Sequence, residues 1–276
     1  MKIHVFIGPT LPLREAQRVL AARYSPPVAQ GDVLRAVAER PDAIAIVDGY
    51  FERVPAVWHK EILWAMAQGI HVFGAASMGA LRAAELRDYG MIGVGAIYEA
   101  YASGEYDADD EVAIAHSAEE DGYRSLSEAM VNIRATLTAA VAEQIVSATT
   151  KSALEALAKA EFYPDRNYPL LFEQGRRVGL PEQELEAFRS WLPRGRVDQK
   201  RLDALALLAT IKDRLGPDGL PKRVKYRFEH TDAWEHALRS AEAQAGDAKQ
   251  EGESESRLKV TRIDRFSARR ASNGTT

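Results

Sequence analysis

The chain has 276 residues, of which 46% are hydrophobic and 28% are charged, enough for an ordinary globular core. The 36 basic and 40 acidic residues give a net charge of −4, so the composition carries no signature of a nucleic-acid-binding protein. The absence of cysteine excludes disulfides, thiolate metal sites and a cysteine nucleophile. The sequence shows neither a secretory signal nor an apolar stretch of the roughly 20 residues that a membrane span needs, so a cytoplasmic location is expected.

The first 90 residues alternate between short apolar runs and segments with helical spacing. Each apolar run ends at glycine or at Asp-Gly, as buried strands do before a turn. The predicted strands span residues 2–7, 43–47 and 70–73, and the predicted helices span residues 13–22, 31–40, 54–68 and 76–87. Strands that alternate with helices predict a parallel sheet with right-handed crossovers.

The pattern changes after Gly90. The glycine-rich segment 90–95 is interpreted as a flexible loop, residues 95–103 as a short helix, and residues 112–116, after the acidic segment 107–111, as a possible fourth strand. From Ser127 onward the pattern is helical, over residues 128–146, 151–161, 170–178, 182–192 and 200–215. We therefore expect an α/β core over 1–122, a helical region over 123–238 and, because large apolar residues become rare, a disordered tail over 239–276.

Candidate site residues follow the ends of the three main strands. In a parallel sheet, binding sites form beyond the carboxyl ends of the strands, so these segments should lie close together. They are Gly8-Pro9-Thr10, Asp48-Gly49-Tyr50 and Gly74-Ala75-Ala76-Ser77. We expect the substrate to contact residues at these ends and in the following helix, namely Gly8, Thr10, Gly49, Gly74 and Arg82.

The third strand end places Ser77 in the first turn of a helix. Gly74 and the two alanines permit a tight turn, and the free N–H groups of Met78 and Gly79 could stabilise an oxyanion. The segment is similar to the nucleophile segment of the Clp protease proteolytic subunit and, more loosely, to the nucleophile elbow of α/β-hydrolases. These features predict a nucleophilic serine, and the competing interpretation is a serine that only caps the helix.

Two residues could act as the base for Ser77. His116 lies at the end of the predicted fourth strand, and Asp48 or Asp110 could orient it. Alternatively, Lys200 begins a helix that is apolar nearly all round, and burial at the positive end of the helix dipole would favour its neutral form. The competing interpretation of Lys200 is a side chain that extends to water.

Two charged features have ordinary explanations beside functional ones. The acidic residues of segment 107–111 could hold a divalent metal or meet a basic partner, but a solvated acidic loop is the prediction. Arg82 and Glu85 could form a surface ion pair, or Arg82 could bind a carboxylate near Ser77. The sequence predicts no resident metal and no cofactor.

Several segments spread over most of residues 2 to about 236 match one family pattern. They are Ile7-Gly8-Pro9-Thr10, Asp48-Gly49-Tyr50-Phe51, the serine segment 74–86, Ile97-Tyr98 through Tyr101 and Gly104, the run 109–113, His116, and Gln199-Lys200 with Asp203-Ala204. On these residues the chain resembles the TfuA family, proteins that accompany YcaO enzymes in peptide-backbone thioamidation. Many relatives have serine where this chain has Ala76, which leaves Ser77 as the candidate nucleophile here.

The resemblance implies a function and a set of partners. TfuA is thought to hydrolyse the C-terminal thiocarboxylate of a ubiquitin-like, ThiS-type sulfur carrier, and the released sulfide goes to YcaO for modification of a ribosomally made (RiPP) peptide. The expected partners are therefore YcaO, the carrier and, as a further candidate, the precursor peptide. The family site is described as a Ser–Lys pair, which favours Ser77 with Lys200 over His116. The alternative is a non-catalytic docking subunit that recruits peptide or carrier to YcaO.

Overall fold

The computed structural model describes residues 1–52, 54–215 and 220–241. Residues Met1–Phe228 form one compact unit, and a second unit begins at Glu229, where residues 232–241 are helical. The tail predicted to be disordered, 239–276, lies outside the described residues apart from its first three.

A five-stranded parallel sheet forms the centre of the first unit. The strand order is β2-β1-β3-β4-β5, so the chain moves to one side of β1 first and then returns to build the other side. The strands are β1 (Ile3–Phe6), β2 (Arg23–Ser25), β3 (Ala43–Ile46), β4 (His71–Ala75) and β5 (Ile92–Val94). The predicted α/β fold with a parallel sheet is confirmed.

Helices connect the strands and make up the second half of the chain, as predicted. Those near the sheet in sequence are α1 (Leu13–Val19), α2 (Asp32–Ala38), α3 (His59–Ala67), α4 (Met78–Leu86) and α5 (Ala96–Ser103). Those of the second half are α6 (Met130–Ala142), α7 (Ala148–Ala160), α8 (Tyr168–Arg177), α9 (Glu182–Gly195) and α10 (Gln199–Arg214). Among the described residues, none of the helices combines the length and apolar character needed to cross a bilayer.

Both faces of the sheet are covered by helices, which is why its strands are apolar throughout. On one face, Val5, Ala45 and Phe73 pack with residues of α1 and α10. On the other face, Ile44, Ile46 and Val72 pack with residues of α2, α3 and α4. Helix α10, although it follows the helices of the second half, therefore returns to the sheet and buries Leu207, Leu208 and Ile211 against it.

Helices α6–α9 enclose a separate core of their own, whose largest buried side chains are Trp191, Tyr168, Phe172 and Phe188. The change from sheet to bundle thus falls after α5, while α10 belongs to the core of the sheet. The predicted domain division at residue 122 marks this change of architecture and stays a prediction as a domain boundary.

Three local predictions about the strands are wrong. Residues 112–116 form no strand, and only an isolated bridge joins His116 to Ser125, because β5 already occupies that edge of the sheet. The segment predicted as a flexible loop, 90–95, contains β5. Its Gly93 permits close packing of the Tyr98 ring, since an added Cβ would lie 2.0 Å from that side chain. The three-residue β2 was not predicted, because a run that short carries no periodicity.

Candidate active site at the carboxyl edge of the sheet

The strand order places a crevice between the carboxyl ends of β1 and β3, where parallel α/β sheets bind ligands. Asp48 bridges this point. Its Oδ2 accepts hydrogen bonds from the N–H of Gly8 at 2.8 Å and of Thr10 at 3.2 Å, and its Oδ1 accepts one from the Thr10 hydroxyl at 2.5 Å. The predicted proximity of these two strand ends is therefore present, and the buried carboxylate holds them together.

Ser77 follows β4 through a strained turn. The Ser77 N–H donates to the Ala75 carbonyl at 2.8 Å, and Ala76 between them has a φ of 66°. A three-residue turn with a positive central φ is rare and strained for a residue with a Cβ. The turn leaves Ser77 at 3% exposure at the start of α4, and its side chain makes no capping hydrogen bond. The capping interpretation thus lacks the contact that it requires.

Two glycines let α4 approach the sheet closely behind Ser77. A Cβ added to Gly79 would lie 1.7 Å from the Ile46 carbonyl oxygen, and one added to Gly74 would lie 2.0 Å from the Gly79 carbonyl oxygen. The backbone of α4 therefore packs directly on the backbone of the sheet, and this contact fixes the position of Ser77 relative to the ends of the strands. Gly74 is thereby a packing residue, and the predicted substrate contact at Gly74 stays a prediction.

The free N–H groups near Ser77 differ from those expected. The Gly79 N–H donates to the Val47 carbonyl at 3.3 Å, so it is not free for an oxyanion. The Met78 N–H has no acceptor within the described part of the chain. Gly49 is a second candidate, because Val28 bonds to the residues on either side of it and its own N–H finds no acceptor in residues 1–52, 54–215 or 220–241.

Lys200 lies at the same edge of the molecule. Leu215, just after the last turn of α10, borders a cavity together with Asp42 and His71, which lie at the amino ends of β3 and β4. The first turn of α10, which contains Lys200, therefore lies toward the carboxyl ends of the strands. Lys200 is 3% exposed, and its Nζ donates to the Val112 carbonyl at 2.9 Å. The side chain is therefore buried and does not extend to water. No hydrogen bond joins it to Ser77 in the described structure.

The environment of Lys200 shifts its protonation. Burial lowers the pKa of the Lys200 amine, whereas the negative charges of Asp48, Asp198 and Glu128 partly raise it again. The net direction is downward, which favours the neutral amine relative to an exposed lysine.

His116 has none of the contacts expected of a triad histidine. Its Nδ1 lies 2.8 Å from the Ser117 carbonyl oxygen, and its ring centroid lies 6.3 Å from that of Tyr50 and 5.7 Å from that of Tyr123. Asp48 and Asp110, the two carboxylates predicted to orient it, are engaged elsewhere. The histidine lies at the rim of the site among aromatic rings, with no carboxylate orienting it in the part of the chain that the structure describes.

Part of the chain, including this edge of the sheet, is similar to a known protein family. Residues 48–167 match the TfuA-like protein family. The match is somewhat less than half of the chain and contains Asp48, Ser77 and His116 but ends before Lys200. No curated protein matches the chain.

Two of the four acidic residues in segment 107–111 form internal ion pairs, so the prediction of a solvated loop is wrong for Asp110 and Glu111, whereas Asp107 and Asp109 are exposed. Asp110 forms ion pairs with Lys159 and Arg166, and buried Glu111 pairs with Arg134. The segment leads directly to Val112, whose carbonyl accepts the Lys200 hydrogen bond. These pairs thereby hold that carbonyl in place.

Arg82 forms the ion pair with Glu85 that the sequence suggested, at 2.6 Å. Its Nε also donates to the Val57 carbonyl at 3.2 Å. The guanidinium is therefore engaged on the helix surface, and a contact of Arg82 with substrate stays a prediction.

We expect Glu111→Gln to destabilise the fold, because it removes the buried charge that bonds both Arg134 and Lys159 and leaves them only Glu155 and Asp110 as anionic partners. Burial alone would raise the pKa of Glu111, yet hydrogen bonds from those two residues bring it below its usual value. The loss of hydrogen bonds to a charged group costs about 2 kcal/mol, measurable by urea unfolding at neutral pH. The stabilisation exists above the unfolded-state pKa and disappears as the pH falls through the folded-state value.

Asp107→Asn is the matched control, since Asp107 is exposed and forms no ion pair with any described residue. It should leave the free energy of unfolding within about 0.5 kcal/mol of the wild type. Equal effects of the two substitutions would show that the segment is solvated after all.

Proposed function

We propose that this protein hydrolyses the C-terminal thiocarboxylate of a ubiquitin-like, ThiS-type sulfur carrier. The sulfide would serve a YcaO enzyme that thioamidates a peptide backbone. The observation that carries the proposal is Ser77, a nearly buried serine in a strained turn that makes no capping bond. It is followed by the Met78 N–H, which has no acceptor among the described residues. The resemblance to TfuA proteins and the family match over residues 48–167 support the choice of substrate.

In the proposed reaction, the Ser77 hydroxyl oxygen attacks the thiocarboxylate carbon. The N–H groups of Met78 and Gly49 bind the developing oxyanion, and the serine proton passes to Lys200. The protonated Lys200 amine gives this proton to the sulfur, and the tetrahedral intermediate expels hydrosulfide by breaking its carbon–sulfur bond, which leaves an ester on Ser77 and a neutral amine. Water, deprotonated by the same amine, hydrolyses this ester and returns the carrier with an ordinary carboxylate. In the second half the amine returns the proton taken from water to the Ser77 oxygen. Because Lys200 donates the proton in both halves and hydrosulfide is a good leaving group, no histidine acid is needed.

Lys200 suits the role of base because it can be neutral when buried. A neutral amine that donates one N–H to the Val112 carbonyl retains its lone pair for a proton. His116 lacks a carboxylate to orient it among the described residues, so the geometry favours the lysine. A shift of the side chain or a bridging water molecule would connect Lys200 with Ser77.

The direct test is the release of sulfide from a thiocarboxylated ThiS-type carrier by the purified protein alone. The proposal predicts multiple turnovers that depend on the protein, without YcaO and without ATP. A docking subunit would bind carrier or peptide and release no sulfide above background, and that outcome would contradict the proposal.

We expect Lys200→Met to reduce sulfide release about 100-fold or more, the usual contribution of a general base. Lys212→Met, an exposed lysine in the last turn of the same helix, should leave turnover unchanged. A harmless Lys200→Met combined with a damaging His116→Ala would assign the base to the histidine.

The same variant has a characteristic effect on stability. Because the folded-state pKa of Lys200 lies below its ordinary value of 10.5, the unfolded chain binds more protons between those two values. The free energy of unfolding of the wild type should therefore rise with pH across that window. That of Lys200→Met lacks this contribution, so the difference between the two proteins should change in favour of the wild type as the pH rises. Unfolding curves at several pH values measure this difference in the free energy of unfolding. A difference that does not depend on pH would contradict the claim that burial lowers the pKa of Lys200.

A further inference from the structure

The start of α10 is bound by a residue from a distant helix. Asn132 lies in α6 and is 5% exposed, and its Oδ1 accepts the backbone N–H of Lys200 at 3.2 Å. Asp198 accepts the next N–H, that of Arg201, at 3.1 Å. Two of the first N–H groups of α10, which have no partner within the helix, are thus satisfied by two side chains.

The amide of Asn132 is used completely. Its Nδ2 donates to Glu128 at 3.0 Å and to Asp198 at 3.1 Å, while its oxygen faces the Lys200 N–H. The opposite amide orientation would place the oxygen against two carboxylates and the NH2 group against an N–H donor. The network therefore specifies one orientation.

We propose that Asn132 is a positioning residue for the candidate base: it fixes the first turn of α10, and with it the Lys200 side chain, at the sheet edge where Ser77 lies. The inference rests on the proposed function in taking Lys200 as the base. It adds a residue from the helical region to a site that sequence reasoning built from strand ends, Lys200 and His116.

The charges around Lys200 make the protonation of its amine sensitive to the residue at position 132. Three carboxylates face it from different elements, namely Asp48 after β3, Asp198 before α10 and Glu128 before α6. Asp198 and Glu128 are joined through the neutral Asn132 amide, and Glu128 also pairs with Arg196 at 2.5 Å. A neutral connector keeps these acids in place without adding another negative charge beside the amine.

The test is Asn132→Asp, which has nearly the same shape and can still accept the Lys200 N–H. The second oxygen of the new carboxylate lies against Glu128 and Asp198, so negative charge accumulates beside Lys200 and the pKa of its amine should rise. NMR of the lysine side-chain amines measures this shift without any assay of activity, and Lys200→Met identifies the signal. The pH at which sulfide release reaches half its maximum should move upward by the same amount.

Thr136→Val is the control. Thr136 is fully buried one turn later in α6, and its hydroxyl bonds to the backbone of Val197 and not to Lys200. It should lower stability while the Lys200 titration and the pH profile stay at wild-type values. Should Asn132→Asp fail to fold, Asn132→Ser provides the test, with kcat reduced, KM unchanged, and Thr136→Val changing neither.

A Lys200 titration and pH profile unchanged in Asn132→Asp, or wild-type kcat in Asn132→Ser, would overturn the proposal and leave Asn132 as a structural residue. The two hypotheses separate cleanly. If Ser77→Ala still releases sulfide, the proposed function fails, yet a shifted Lys200 titration in Asn132→Ser, which adds no charge, would uphold the positioning role.

Discussion

Gly79→Ala is expected to destabilise the protein severely, by about 3 kcal/mol or more, because it forces a methyl group into packed backbone. The new Cβ would lie 1.7 Å from the Ile46 carbonyl oxygen, and Ile46 belongs to a central strand that has no room to retreat. Helix α4 would have to move away from the sheet and take Ser77 with it. Urea unfolding measures the loss, and any folded fraction should have little sulfide-releasing activity.

Gly175→Ala is the matched control for Gly79→Ala, since Gly175 is also a buried helical glycine. Its added Cβ would meet only side-chain carbons, at 3.2–3.4 Å from Leu185, Leu180 and Leu154, and side chains can yield by a few tenths of an ångström. Alanine also favours the helix by about 1 kcal/mol. A small change there beside a large one at Gly79 is the expected result. A Gly79→Ala protein of wild-type stability would show that α4 does not pack as described.

Much of the fold was predictable because its signals are local. The three apolar runs that end at glycine or Asp-Gly became β1, β3 and β4, and the site segments became their carboxyl ends. The turn at Ser77 was predictable from its small residues. The apolar character of α10 on nearly all sides likewise indicated a buried helix, although it left open whether the Lys200 side chain would extend to water.

The errors concern partners that lie far away in sequence. Segment 107–111 looked solvated because nothing nearby reveals that Arg134, Lys159 and Arg166 lie opposite it. The Gly79 N–H in α4 looked free because its acceptor, the Val47 carbonyl, lies just after β3 and far away in sequence. Asn132 gave no functional signal at all, since its contacts with Lys200 and Asp198 span more than 60 residues. Only the packing of α6 on α10 explains why a buried residue there is an asparagine.

Ser77→Ala is the substitution with the largest expected effect on activity. If Ser77 is the nucleophile, sulfide release should fall at least about 1,000-fold, as in other enzymes that lose the attacking serine. A serine that caps a helix would instead contribute about 1 kcal/mol of stability. Because the Ser77 side chain makes no capping hydrogen bond, we expect the variant to be as stable as the wild type.

The central claim is therefore tested most directly by sulfide release from a thiocarboxylated carrier by folded Ser77→Ala protein. Thermal unfolding and carrier binding measured on the same preparation show that fold and docking are intact. The account predicts background sulfide, wild-type melting and wild-type carrier binding. A Ser77→Ala protein that folds, binds the carrier and releases sulfide at the wild-type rate would contradict it, and the protein would then be a docking subunit.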